Sequence, residues 1–125
     1  MTVIRSAQAR RVETPNAVMT TLASPTQGGA GFSLWRVDMG AGQAGPEHVF
    51  DTEQIWTVLD GGATVELAGD CSRLVPGDTA VLPAVTPRRL TADPEAGFTA
   101  IVAAPAGARA ALTDGTDKGV PPWIA

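Results

Sequence analysis

The chain has 125 residues, 44% hydrophobic and 18% charged, enough for one core, too few for two ordinary domains, and outside the range of general disorder. A formal charge of -4 with nine scattered basic residues excludes the basic face that nucleic acid needs and the cationic patch that an anionic membrane attracts. The only cysteine, Cys71, excludes an intrachain disulfide and a cysteine-rich zinc site.

Met1 to Arg11 carries charge and is followed by no apolar run of signal or anchor length, so a cytoplasmic protein is expected, in keeping with the lone thiol. Eight arginines against one lysine suit a GC-rich bacterial genome. Val18 to Leu22 reads as the first strand. Gly28, Gly29 and Gly31 form a flexible connection, since a phosphate loop would have to join a strand to a helix. Gly31 to Met39 is the next strand. From Phe32 to Ala104, short runs of Val, Leu, Ile, Thr and Trp are broken by Gly, Pro and Asp at close spacing, the pattern of an all-β barrel or sandwich, and no segment sustains a helical period. Gln54 to Leu59 and Ala63 to Leu67 are strands, and Asp60, Gly61 and Gly62 between them read as a hairpin turn. Gly69 and Asp70 read as the next turn, with Cys71 an exposed thiol after it. Thr79 to Leu82, Arg88 to Thr91 and Gly97 to Ala103 complete the set, antiparallel because the connections are short. Residues 1–30 and 105–125 are expected to pack on the barrel or on a partner subunit. Trp123, in Pro121-Pro122-Trp123-Ile124, either covers the outside of its own barrel or helps form a dimer interface.

The run from Gly42 to Gly61, with His48, Phe50 and Gln54 inside it, resembles the first motif of the cupins: glycine, five residues, His-x-His, a short gap, Glu, six residues, glycine. Gly42, His48 and Gly61 fall on their marks; Phe50 stands for the second histidine and Gln54 for the glutamate. Gly77 to Ala92 is similar to the second motif. There Gly77 and Pro83 match, while Val85 replaces a glycine, Arg88 the histidine and Ala92 the asparagine. The resemblance covers roughly residues 34–104 and implies a single-domain jelly-roll β-barrel over residues 1–125, commonly a homodimer, with a pocket inside the barrel. It fixes no reaction, because one fold hosts many functions.

In such proteins three imidazoles and a carboxylate hold a divalent metal. The equivalent positions here are His48, Phe50, Gln54 and Arg88: a phenyl ring without a lone pair, a weak amide and a permanent cation beside the only histidine. No metal and no other cofactor is therefore expected. Glu53 faces outward unless a bulge shifts it, and Asp51, Glu47 or Glu66 would have to be recruited beside His48 to rebuild a ligand set. Alternation brings Trp56 and Val58 to the same face as Gln54. The expected pocket then has His48 and Arg88 as catalytic candidates and Phe50, Gln54, Trp56 and Val58 as substrate contacts. His48 is the one side chain that exchanges protons near neutral pH, and Arg88 can hold an anionic oxygen. The reading is metal-independent acid/base chemistry, isomerisation, cyclisation or elimination, on a small carbonyl-containing or anionic molecule. The alternatives are a non-catalytic small-molecule binder, in which His48 is idle and the aromatic residues are core, and a metal-dependent dioxygenase with an altered ligand set.

Overall fold

The computed structural model describes residues 1–125. Side chains along a strand point alternately to its two faces, and the longest strands here bury every second residue: Ser33, Trp35, Val37 and Met39 in one, Phe98, Ala100, Val102 and Ala104 in another. A 3-10 turn at Ser6–Gln8 precedes twelve strands: β1 (Arg10–Glu13), β2 (Val18–Ala23), β3 (Phe32–Met39), β4 (His48–Phe50), β5 (Gln54–Gly61), β6 (Ala63–Leu67), β7 (Asp70–Leu74), β8 (Thr79–Leu82), β9 (Arg88–Ala92), β10 (Phe98–Pro105), β11 (Ala110–Leu112) and β12 (Asp117–Gly119). They form two six-stranded antiparallel sheets, in the orders β1-β2-β3-β10-β5-β8 and β12-β11-β4-β9-β6-β7. This is the all-β jelly roll expected from the sequence. The inward rows of both sheets meet in one core of 19 buried residues. No helix is long and apolar enough to cross a membrane.

Two turn expectations are corrected. Asp60 to Gly62 is not a hairpin, because β5 belongs to the first sheet and β6 to the second; the chain passes there from one layer to the other. Gly61 is needed for close approach rather than for a two-residue turn. Its φ is +68°, and a Cβ would collide with the carbonyl of Gly97, the residue just before β10. The true hairpin joins β6 to β7, where Leu67 pairs Asp70 across Ala68 and Gly69, both at positive φ. Asp70 thus begins a strand.

The terminal segments pack on this chain's own barrel. β1 extends the first sheet through β2, and β11 and β12 extend the second through β4. The final residues cross the inner side of β2 and β3: Thr21 Oγ1 donates to the Trp123 carbonyl at 2.8 Å, Ser33 Oγ to that of Ile124 at 2.6 Å, and Arg10 Nη2 to that of Ala125 at 2.8 Å. Ile124 is fully buried.

Candidate functional site

Between the sheets lies a cavity of about 370 Å³, within the size range of small-molecule sites. The first sheet supplies Trp35, Gln54 and Trp56, the second His48, Phe50 and Leu90, and the tail closes one side with Pro121, Pro122 and Trp123. Trp123 therefore stands in the cavity wall, packed against this chain's own core, and not on the outside of the barrel.

The four motif positions converge. His48 and Phe50 are two apart on β4 and share a face, their ring centroids 5.2 Å apart. Arg88 pairs with His48 across β4 and β9. Its guanidinium lies 4.5 Å from the centre of the Phe50 ring and donates from Nη2 to Gln54 Oε1 at 2.7 Å. Arg88 points inward and Arg89 outward, because alternation along β9 buries Arg88, Leu90 and Ala92.

Two expected roles are corrected by position. Arg88 is 1% exposed and does not line the cavity; it stands behind Gln54 and Phe50. Val58 does not line it either, but is buried in the core opposite Ala100, one inward step further along β5 than Trp56. Trp56 does line it and stacks on Phe98, with centroids 6.2 Å apart.

His48 Nδ1 lies 2.6 Å from the Pro46 carbonyl. A carbonyl only accepts, so Nδ1 carries the hydrogen and donates it, which leaves Nε2 as the basic nitrogen of a neutral ring. Burial pulls the His48 pKa below its ordinary 6.5 and the nearby Arg88 charge adds to this, against the opposing pull of the Pro46 hydrogen bond. Burial also brings the Arg88 guanidinium down to about 10, which leaves it charged at neutral pH.

The Gln54 amide has a determined orientation. Oε1 accepts from Arg88 Nη2 and from Trp56 Nε1 at 3.1 Å, and both neighbours are donors with no accepting capacity, so the flipped amide would set donor against donor. The amide nitrogen consequently faces away from them. Five buried side-chain atoms lack a hydrogen-bond partner, and three belong to this pair: Gln54 Nε2, Arg88 Nε and Arg88 Nη1. A buried donor left unmatched costs about 1–3 kcal/mol, so three on one pair of side chains are costly to keep without a water or ligand acceptor.

The metal that the motif positions imply does not fit these residues. Phe50 offers nothing, the Gln54 oxygen already serves two donors, and Arg88 brings a cation to the place. No group of three or more His, Cys, Asp or Glu side chains is placed to hold a metal. Glu53 is exposed, Asp51 caps the Arg109 backbone N-H, and Glu47 and Glu66 line a separate outer groove with Arg89.

Sequence reasoning missed Trp35, Leu90 and Trp123 as wall residues. Leu90 was accessible from period-two alternation with Arg88, while no residue on the strand of Trp35 had been assigned a face. Trp123 carried no periodic signal.

No family model matches the sequence, and no curated protein matches it. Solved structures do match the fold. An RmlC-like cupin from Shewanella frigidimarina superposes with a TM-score of 0.70 at 17% identity, over 83% of this chain and 90% of that one. The DMSP lyase DddQ from Ruegeria pomeroyi gives 0.73 at 25% identity over 86% of this chain, which spans 62% of that one. The polyketide cyclase RemF from Streptomyces resistomycificus gives 0.71 at 21% identity over 84% of this chain and 79% of that one.

Proposed function

The chain has the cupin fold, and on it we propose a metal-independent acid/base enzyme of isomerase, cyclase or lyase type that acts on a small carbonyl compound in the barrel cavity. The observation that carries this reading is His48: a neutral imidazole, held through Nδ1 by Pro46, with Nε2 free on a cavity whose wall also includes Gln54, with its buried and unmatched amide nitrogen. Nε2 removes a proton from the carbon next to a carbonyl, the electron pair moves onto the carbonyl oxygen, and that oxygen is stabilised by Gln54 Nε2. Return of the proton to a different carbon isomerises the substrate; departure of a group from the adjacent carbon eliminates it. Arg88 acts through Gln54, holding the amide and lending its charge, and so is a positioning residue. A lyase and a cyclase share the fold, which supports the reaction class without choosing within it.

The second reading, a non-catalytic binder, is favoured by the apolar walls and needs no base. His48→Ala separates the two. The variant is expected to fold and to lose turnover by about a hundredfold or more; full activity in it sinks the catalytic reading. The base form must be present for turnover, and the His48 pKa is lowered. Activity therefore persists through neutral pH and falls only on the acid side, with an inflection in kcat/KM below 6.5. We further propose a homodimer in a reducing cytosol.

A further inference from the structure

All three tryptophans of the chain, Trp35, Trp56 and Trp123, line this one cavity, and Phe50 adds a fourth ring. Large flat faces of this kind suit a planar aromatic guest. The chain carries thirteen acidic residues, yet none of the wall residues is Asp or Glu; the ionisable ones are His48 and Lys118. Behind the wall, buried Arg88 is absent from every ion pair of the molecule. The interior thus holds one positive charge without a counter-charge, and three donor atoms without acceptors.

Those features select a ligand. A cationic aromatic is repelled, a neutral hydrocarbon leaves the donors unmatched, and a polyanion brings more charge than one guanidinium balances into apolar walls. We propose that the cavity takes a planar aromatic molecule bearing one anionic oxygen group, a carboxylate or phenolate, with its rings among the tryptophans and its charged oxygen on Gln54 Nε2. Arg88 supplies the balancing charge from behind, and Trp123 sets specificity from the tail. The inference rests on the acid/base reading only in taking this cavity as the substrate site.

The test is calorimetric titration of the full chain with 2-naphthoate and with its neutral counterpart 2-naphthamide. Naphthoate is expected to bind about tenfold or more tighter. Gln54→Glu replaces the free donor by a carboxylate that pairs with Arg88, and should abolish that preference while leaving naphthamide binding in place. Arg88→Met should do the same and Arg88→Lys should restore part of it, a pattern that simple loss of packing does not give. Trp123→Ala should weaken both ligands alike. Equal affinity of the wild type for the two compounds, binding of neither, or a preference unchanged in Gln54→Glu overturns the proposal. His48→Ala should lose turnover while still preferring naphthoate to naphthamide, whatever its affinity for either, so failure of the catalytic reading and failure of this one are read separately.

Discussion

At the scale of single residues, the structure carries a strained position whose origin is legible in the motif. Val85 stands where the second cupin motif has a glycine, and its φ is +60°, the left-handed region. A β-branched side chain is a poor occupant of that region. The backbone has kept the conformation that glycine allows, and the Val85 N-H uses it to donate to the Phe50 carbonyl at 2.8 Å. Val85 is 74% exposed, so its side chain offers little burial in return. Val85→Gly should therefore stabilise the chain: relief of about 1–2 kcal/mol of left-handed strain exceeds the roughly 0.4–1 kcal/mol that glycine adds to the freedom of the unfolded chain. A rise in Tm of a few degrees in thermal unfolding checks this, and a fall would mean that the valine makes contacts worth more than its strain. The same comparison shows what a motif can and cannot tell. It brought His48, Phe50, Gln54 and Arg88 to one place in advance, because spacing along paired strands fixes where side chains meet. It could not tell that Arg88 stands behind Gln54, since that follows from which neighbour accepts and which donates.

Among the elements, strands were legible where alternation and bulk coincide. β3, β5 and β10 each run eight residues; β10 is apolar at every second place, β3 is so from Trp35 to Met39, and β5 brings Trp56 and Val58 to one face. β7, Asp-Cys-Ser-Arg-Leu, exposes all but its last residue, and β4 and β11 have only three residues each; none offers a window long enough for a period. The tail was legible only as too hydrophobic to be free. Its place is held by polar anchors as well as by Ile124: the buried Ser33 hydroxyl donates to the Ile124 carbonyl and the buried Thr21 hydroxyl to that of Trp123. Removing one donor leaves a buried carbonyl unmatched, at a cost of about 1–3 kcal/mol. Ser33→Ala should lower the stability by that amount in denaturant unfolding. It should also loosen Trp123 and weaken aromatic ligands, although Ser33 is not among the cavity residues. Unchanged binding beside lowered stability would show that the wall position of Trp123 does not depend on this anchor.

For the whole molecule, the question is what covers the outer face of the first sheet. Register places Leu34, Ala103, Ile55 and Val81 in one cross-strand row on the side away from the core, with Phe32 and Pro105 in the next row outward. Phe32 is 69% exposed and Val81 56%. Scattered exposed apolar residues are ordinary, but a contiguous row on one sheet face is the kind of surface that a partner buries. The far end of the same face carries the Arg36 and Asp38 ion pair, so the apolar part has a polar border, as the core of an interface does against its rim. The proposed homodimer would place a second copy here, and a two-fold contact requires only that this one patch match itself. Val81 lies on β8, the edge strand of its sheet, and its side chain faces away from the cavity. Val81→Glu should then yield a folded monomer in sedimentation or light scattering, with the naphthoate affinity of each subunit retained, because it sets a charge in the apolar row and leaves the cavity untouched. If the wild type is itself monomeric at the concentrations where it binds ligand, the exposed row has some other purpose and the dimer proposal fails; if Val81→Glu remains dimeric, the contact lies on a different face.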